Sequence, residues 1–358
     1  MQKHTLFFTD WEGPWITTDF ALEVSKDFLN NATFFERLSQ YDDYLYFIAK
    51  KEGYRAGDTL KLLAPFICAK GISSKELEKL AIETANFVKD AKSSITILQK
   101  KYTAVVISTS YDQYLKATAK KLGVKGFLHG TEFDVEKLAE LFDSEDEMLA
   151  EKLIEKISKL PEISLDFRNK RVNSEAKKSI EFLNDVFFEN RKKIRGFEKF
   201  IEKLRAIMKR IDVVGGNKKL EVLKSYSTAD RIIAIGDSIS DCEMLDYVRK
   251  KGLAVSFNGN EYSLMKSNLA IVSDSTFAEA AVVDAFLGGD IEGVVKMIES
   301  FKEKRFDEVE KYVDKDIVEG LKEVNSEFYW VKKAKFDVIL SRSRTMRKAV
   351  RGEAGKLG

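Results

Sequence analysis

The chain has 358 residues, 44% hydrophobic and 33% charged, with 60 Lys+Arg against 58 Asp+Glu for a formal net charge of +2. That length suits about two to three domains, and the balanced charge supplies no basic field for nucleic acid. Two distant cysteines, Cys68 and Cys242, exclude a disulfide framework and a Cys-x-x-Cys metal knuckle and suit a reducing cytoplasm. No run of about 18 uncharged apolar residues is present to span a membrane, and the opening MQKHTLFFTDWEG meets acidic residues too soon for a signal peptide.

Short runs rich in β-branched or aromatic residues, each bounded by Gly, Asp, Ser or Asn and followed by a helical pattern, predict buried parallel strands of an α/β sheet. The first is Thr5–Thr9, the second Ala104–Ser108, and the others are Arg231–Ile235, Leu253–Phe257 and Leu269–Val272. The sheet is therefore expected to be split into segments 1–14, 101–134 and 213–285.

Between the first two strands, residues 15–100 read as a helical block; SSKELEKLAIETANFVKDA shows a serine cap, an early Glu and apolar residues at three-to-four spacing. Its many aromatics, including Trp15, Phe20, Phe34, Phe35 and Tyr41, are expected to pack a core. A second helical insertion, 135–212, consists of charged amphipathic patterns broken near Pro161, which suit antiparallel helices. The extension 286–358 is also expected to be helical, and its basic end, SRSRTMRKAVRGEAGKLG, reads as frayed and solvated.

With two histidines and no Walker-type loop, His-Glu-x-x-His pair or Rossmann glycine fingerprint, carboxylates must carry any catalysis. LFFTDWEGP places Asp10 and Glu12 at the carboxyl end of the first strand, where open parallel sheets bind ligands. Asp10 could serve as a nucleophile and Glu12 as a proton donor and acceptor, although acids at strand ends also cap turns. RIIAIGDSISDCEML sets Asp237 and Asp241 just beyond another strand, one to bind a metal and the other to support its hydration shell. Asp241 also reads as a helix N-terminal acid. VVISTSYDQYL offers Ser108, Thr109 and Ser110 as donors to a phosphate oxygen or as helix caps, and GGNKKLEVLK brings Lys218 and Lys219 to a helix start.

In this order, Asp10-Trp11-Glu12-Gly13, Ser108, Lys219 and Gly236-Asp237-Ser238-Ile239-Ser240-Asp241 resemble the motifs of the haloacid dehalogenase (HAD) superfamily, and the layout most resembles its phosphoserine phosphatases. The resemblance implies a Rossmann-like parallel sheet as the catalytic core, with a helical cap inserted after the first strand and a second helical insertion. It implies a cytoplasmic Mg²⁺-dependent phosphatase acting on a small phosphomonoester. Asp10 would form an aspartyl-phosphate, Glu12 would protonate the leaving alkoxide and then activate water, and Mg²⁺ would be held by Asp10, the Glu12 carbonyl and Asp237. Asp241 would orient metal waters or Lys219.

Ser108, Thr109, Lys219 and the Gly13 N–H would hold phosphoryl oxygens, with Lys219 preferred to Lys218 on its Lys-x-Glu-x-Leu pattern. Trp11 and Asp19 become candidates for the substrate pocket. Glu12 stands where most of the superfamily carries Asp. GDTLKLLAPF supplies only Lys61 where the phosphoserine phosphatases place a cap arginine, which weakens the case for phosphoserine. An alternative reading is a regulatory or assembly subunit that docks a protein partner through 135–212, a surface equally suited to a homodimer.

Overall fold

The computed structural model describes residues 5–166, 169–189, 194–226 and 231–356. Residues 1–4 and 227–230 of the expected core, 167–168 and 190–193 of the insertion, and 357–358 of the tail lie outside the described residues.

One sheet contains β1 (Thr5–Thr9), β2 (Tyr102–Tyr111), β3 (Phe127–Thr131), β4 (Ile233–Gly236), β5 (Leu253–Phe257), β6 (Leu269–Ser273) and β7 (Ser326–Trp330). Their spatial order is β3-β2-β1-β4-β5-β6-β7, parallel except for the antiparallel pair β6–β7. Both faces are covered, which is why the strands are near-continuous apolar runs. Phe7, Ala104 and Val106 enter one apolar cluster and their chain neighbours Phe8, Val105 and Ile107 enter the other, as the two-residue period of a strand requires. The α/β Rossmann-like architecture is thus present.

Two strands of this sheet depart from the sequence expectation, and a short antiparallel pair, Leu165–Asp166 with Arg171–Val172, interrupts the insertion expected to be helical. β3 is an edge strand with Phe127 48% exposed, so it lacks the apolar run that marks a central strand. β7 lies in the extension expected to be helical; only Phe328 of its five residues is buried, and its pairing with β6, from Leu269↔Trp330 to Ser273↔Ser326, makes it a strand.

Five α-helices separate β1 from β2: Phe20–Asp27, Ala32–Asp43, Thr59–Ala69, Ser74–Thr84 and Ala91–Leu98. The Ser74–Thr84 helix begins with a reciprocal Ser73–Glu76 capping box. The insertion between β3 and β4 packs back on this block: Phe66 meets Phe200 edge-on at 6.3 Å, Arg37 donates to the Leu160 carbonyl at 2.8 Å, and Lys70 pairs with Glu147 at 2.7 Å. The helical regions therefore share an apolar core rather than standing apart.

The basic end is not a solvated tail. Phe336–Arg351 forms a helix against β6, with Ile339 fully buried beside Leu264 and Ala270, and Ser343 donates its hydroxyl to the Gly259 carbonyl at 2.6 Å. Burial of that apolar and polar stripe outweighs the solvation preference of the charged residues on the helix's outer face. No helix among the described residues is long and apolar enough to cross a membrane.

Candidate active site

The chain leaves β1 toward β2 and β3 and later returns on the other side of β1 as β4, so the order of strands switches between β1 and β4. At such a switch point, the loops diverge and open a crevice at the carboxyl ends of the strands. Asp10 directly follows β1, and its N–H donates to Ile235 of β4 at 2.9 Å; Asp237 directly follows β4.

The helix Asn217–Tyr226 sends Lys219, completely buried, between two acids: its ammonium lies 2.9 Å from Asp10 and 2.7 Å from Asp241. Burial alone would lower the Lys219 pKa, but Asp10 and Asp241 outweigh it and keep the ammonium charged. The Asp10 carboxyl is pushed up, first by burial and then by the Asp241 charge, against the pull of Lys219. Lys218 points elsewhere and pairs with Asp212 at 3.1 Å. The other Asp241 oxygen accepts the N–H groups of Asp237 at 3.0 Å and Ser238 at 3.1 Å, so this residue fixes both the loop after β4 and the lysine.

Glu12 is aimed by two donors, the Ser110 hydroxyl at 2.7 Å and the Phe20 N–H at 3.1 Å. Burial, then the neighbouring Asp19 charge, raise its pKa to about 8, which favours the protonated carboxyl at neutral pH. Asp19 caps the helix Phe20–Asp27 through Leu22 N–H at 3.0 Å while also facing the cavity, and burial raises its pKa as well.

These groups open on one cleft. Asp10, Glu12, Asp237, Ser108 and Thr109 line its floor, and Asp19, Phe20, Phe35, Asp42 and Leu60 come from the helical block above. The Ser108 hydroxyl accepts the Ser110 N–H at 3.2 Å; the Thr109 hydroxyl is buried with no hydrogen-bond partner among the described residues. At Gly57, with φ +88°, an added Cβ would lie 2.8 Å from the Thr109 methyl. The cap loop thus rests directly on the floor of the cleft.

Two candidates are placed differently from the expectation. Trp11 is fully buried and its indole N–H donates to Thr118 at 2.9 Å, so it packs the core and does not line the cleft. Gly13 gives its N–H to the Ile16 carbonyl at 2.8 Å and has none left for phosphate. Its requirement is steric: φ is +100°, and an added Cβ would come within 2.2 Å of the Asp237 carboxylate.

The residues missed from the sequence are Arg347 and Arg351 on the C-terminal helix. Both donate to the same Asp237 oxygen, Arg351 at 3.1 Å, with their side chains 4% and 6% exposed. The signal available was the four-residue spacing of Ile339, Ser343, Arg347 and Arg351, which puts them along one helix face. Asp42 was also missed; it holds the cap loop by accepting from Tyr54 at 2.7 Å and Gly57 N–H at 3.2 Å.

Asp10, Asp237 and Asp241 can each offer one oxygen such that all three lie within 4.8 Å of one another. This hard-oxygen set, with the Gly13 backbone pressed against Asp237, fits a divalent cation such as Mg²⁺. The Glu12 carboxylate is not part of it, being turned toward Ser110 and Phe20.

No family model matches the chain, and no curated protein matches it either. Among solved structures, a phospho-aspartyl intermediate analogue of phosphoserine phosphatase aligns at 12% identity over 75% of this chain and 93% of its own, TM-score 0.44. A HAD family hydrolase from Salmonella enterica aligns at 10% identity over 75% and 68%, TM-score 0.43. Gene product AF1437 from Archaeoglobus fulgidus aligns at 34% identity over 99% of both chains, TM-score 0.78. Likeness of that extent and identity places this chain in the same protein family as the archaeal gene product AF1437.

Proposed function

We propose that the protein is a HAD-type phosphohydrolase that cleaves a small phosphomonoester, with Asp10 as nucleophile and Glu12 as acid and base. The observation that carries this reading is the buried Lys219 clamped between Asp10 and Asp241, beside Asp237, at the switch point of the sheet. A lysine is buried at this cost only when its charge is matched, and here one face of the matched cluster opens on a cleft.

Asp10 would attack phosphorus, forming the Asp10 Oδ–P bond as the bond from phosphorus to the ester oxygen breaks. Glu12, protonated and held by Ser110 and Phe20, gives its proton to the departing alkoxide. Ionised Glu12 then takes a proton from water attacking the aspartyl-phosphate, which returns Asp10 and releases phosphate. Ser108 and Thr109 would hold the transferring oxygens, while Lys219, behind the floor, balances the charge of Asp10 and Asp241. Asp10 and Asp237, with Asp241 behind them, would hold Mg²⁺, which supplies charge neutralisation between carboxylate and phosphate. The cap resting on Thr109 limits water around the reacting groups.

The test is phosphate release with Mg²⁺ from sugar phosphates, nucleotides, phospho-amino acids and an aryl phosphate. Wild type should turn over at least one class and Asp10→Asn none, a loss of about a thousand-fold or more. Turnover unchanged in Asp10→Asn, or absent in wild type across the panel, rejects the reading.

A further inference from the structure

The C-terminal helix brings two guanidinium groups to a carboxylate that a divalent cation would also use. Arg347 and Arg351 share Asp237 Oδ2, and each is anchored a second time: the Arg347 Nε donates to the Gly355 carbonyl at 3.1 Å and the Arg351 Nε to the Thr17 carbonyl at 3.3 Å. Among the described residues lining the cleft, they are the only basic side chains. Lys219 lies behind the floor.

Counted formally, the three carboxylates Asp10, Asp237 and Asp241 face three cations, Lys219, Arg347 and Arg351. The directly paired groups balance, and Asp19 adds a further acid facing both guanidiniums. A divalent ion entering it alone would add two positive charges beside two guanidiniums in a buried site, where like charges repel strongly. A phosphomonoester dianion entering alone would add two negative charges next to the same acids. Entering together, ion and dianion leave the charge of the site unchanged. The planar fork of a guanidinium matches the oxygens of a phosphoryl group, so an arginine released from Asp237 has a partner within the same cleft.

We propose that Arg347 and Arg351 are an exchangeable counter-ion pair: they occupy Asp237 in the cation-free site and pass to the phosphoryl oxygens when a divalent cation takes that carboxylate. The site then loads cation and phosphoryl anion as a coupled pair. This rests on the phosphohydrolase reading of the same cleft and assigns the C-terminal helix a part in it.

The test uses the full chain, Mn²⁺ as a cation countable by electron paramagnetic resonance, and inorganic phosphate followed by calorimetry. In wild type, saturating phosphate should tighten Mn²⁺ binding about ten-fold or more, and Mn²⁺ should tighten phosphate by the same factor. In Arg347→Met and Arg351→Met, Mn²⁺ alone should bind about ten-fold tighter than in wild type, because a competitor for Asp237 is gone, while the coupling factor falls toward one. Folded variants with unchanged or weaker Mn²⁺ affinity, or with the wild-type coupling intact, overturn the proposal. Should the methionine variants not fold, Arg347→Lys and Arg351→Lys keep the charge but lose the fork; coupling must fall in them, and its retention overturns the proposal equally. If wild type releases no phosphate from any ester yet shows coupled Mn²⁺ and phosphate binding, the hydrolytic reading fails and the counter-ion exchange stands. Turnover without coupling gives the reverse.

Discussion

Glu279 sits fully buried in the first turn of the helix Phe277–Lys302, and neither side-chain oxygen has a hydrogen-bond partner among the described residues. Burial raises its pKa well above 4.5, so the folded protein keeps a proton there that the unfolded chain releases. A raised carboxyl pKa gives stability that is fully present below the unfolded value, near 4.3, and is lost as pH rises toward the folded value. Glu279→Met removes the group at similar volume. It should stabilise the protein by about 1–3 kcal/mol at neutral pH, and urea denaturation should show that gain shrinking as pH is lowered through 5 toward 4. A gain that does not change with pH would mean that packing, not the carboxyl, sets the difference.

At the same scale, Asp10, Glu12, Asp237 and Asp241 were legible because acids after apolar runs have a definite address at strand ends. Lys219 was preferred over Lys218 by a motif resemblance, and its burial between two acids gives that choice a physical reason. The arginines were only half legible: four-residue spacing from Ile339 puts Arg347 and Arg351 on one helix face, but nothing local says that this face meets an acid more than 100 positions earlier in the chain.

The C-terminal helix holds its place through Ile339, fully buried against Leu264 and Ala270, with Tyr329 and Val331 beside it. Ile339→Ala should cost about 2–5 kcal/mol through lost burial and a residual cavity. The urea midpoint should fall with an unchanged m-value, because the folded state loses contacts without changing the surface exposed on unfolding. A wild-type midpoint would mean that the helix is held by its polar contacts alone. The element-level reading of the sequence worked for β1, β5 and β6, whose ends fall within a residue of the apolar runs, since strands buried on both faces announce themselves in composition. It missed β7 because SEFYW has one buried position, and pairing with β6 decides its conformation.

At the scale of the whole molecule, the cleft is assembled from distant parts: Asp10 from the start of the chain, Asp237 from its middle and Arg351 from its end. Arg351 makes this assembly mechanical as well as electrostatic, since one side chain spans Asp237 of the core and the Thr17 carbonyl in the connection to the cap. Arg347 shares Asp237 but takes its second contact from Gly355, within the C-terminal segment itself. The two arginines therefore make different predictions for the cap connection. In Thr17 the N–H is donated to the Asn86 carbonyl at 2.7 Å, so its hydrogen exchange reports opening of that segment. A bond from a charged donor contributes about 1.5–3 kcal/mol. Arg351→Met should accordingly speed exchange at Ile16 and Thr17 by roughly ten-fold to a hundred-fold, whereas Arg347→Met, which removes the same charge from Asp237, should leave those amides near wild type. Equal acceleration in both variants would show that charge on Asp237 transmits to the cap without the Thr17 link, and no acceleration in either would show that the cap connection is held by its own backbone bonds to Asn86 and Trp11.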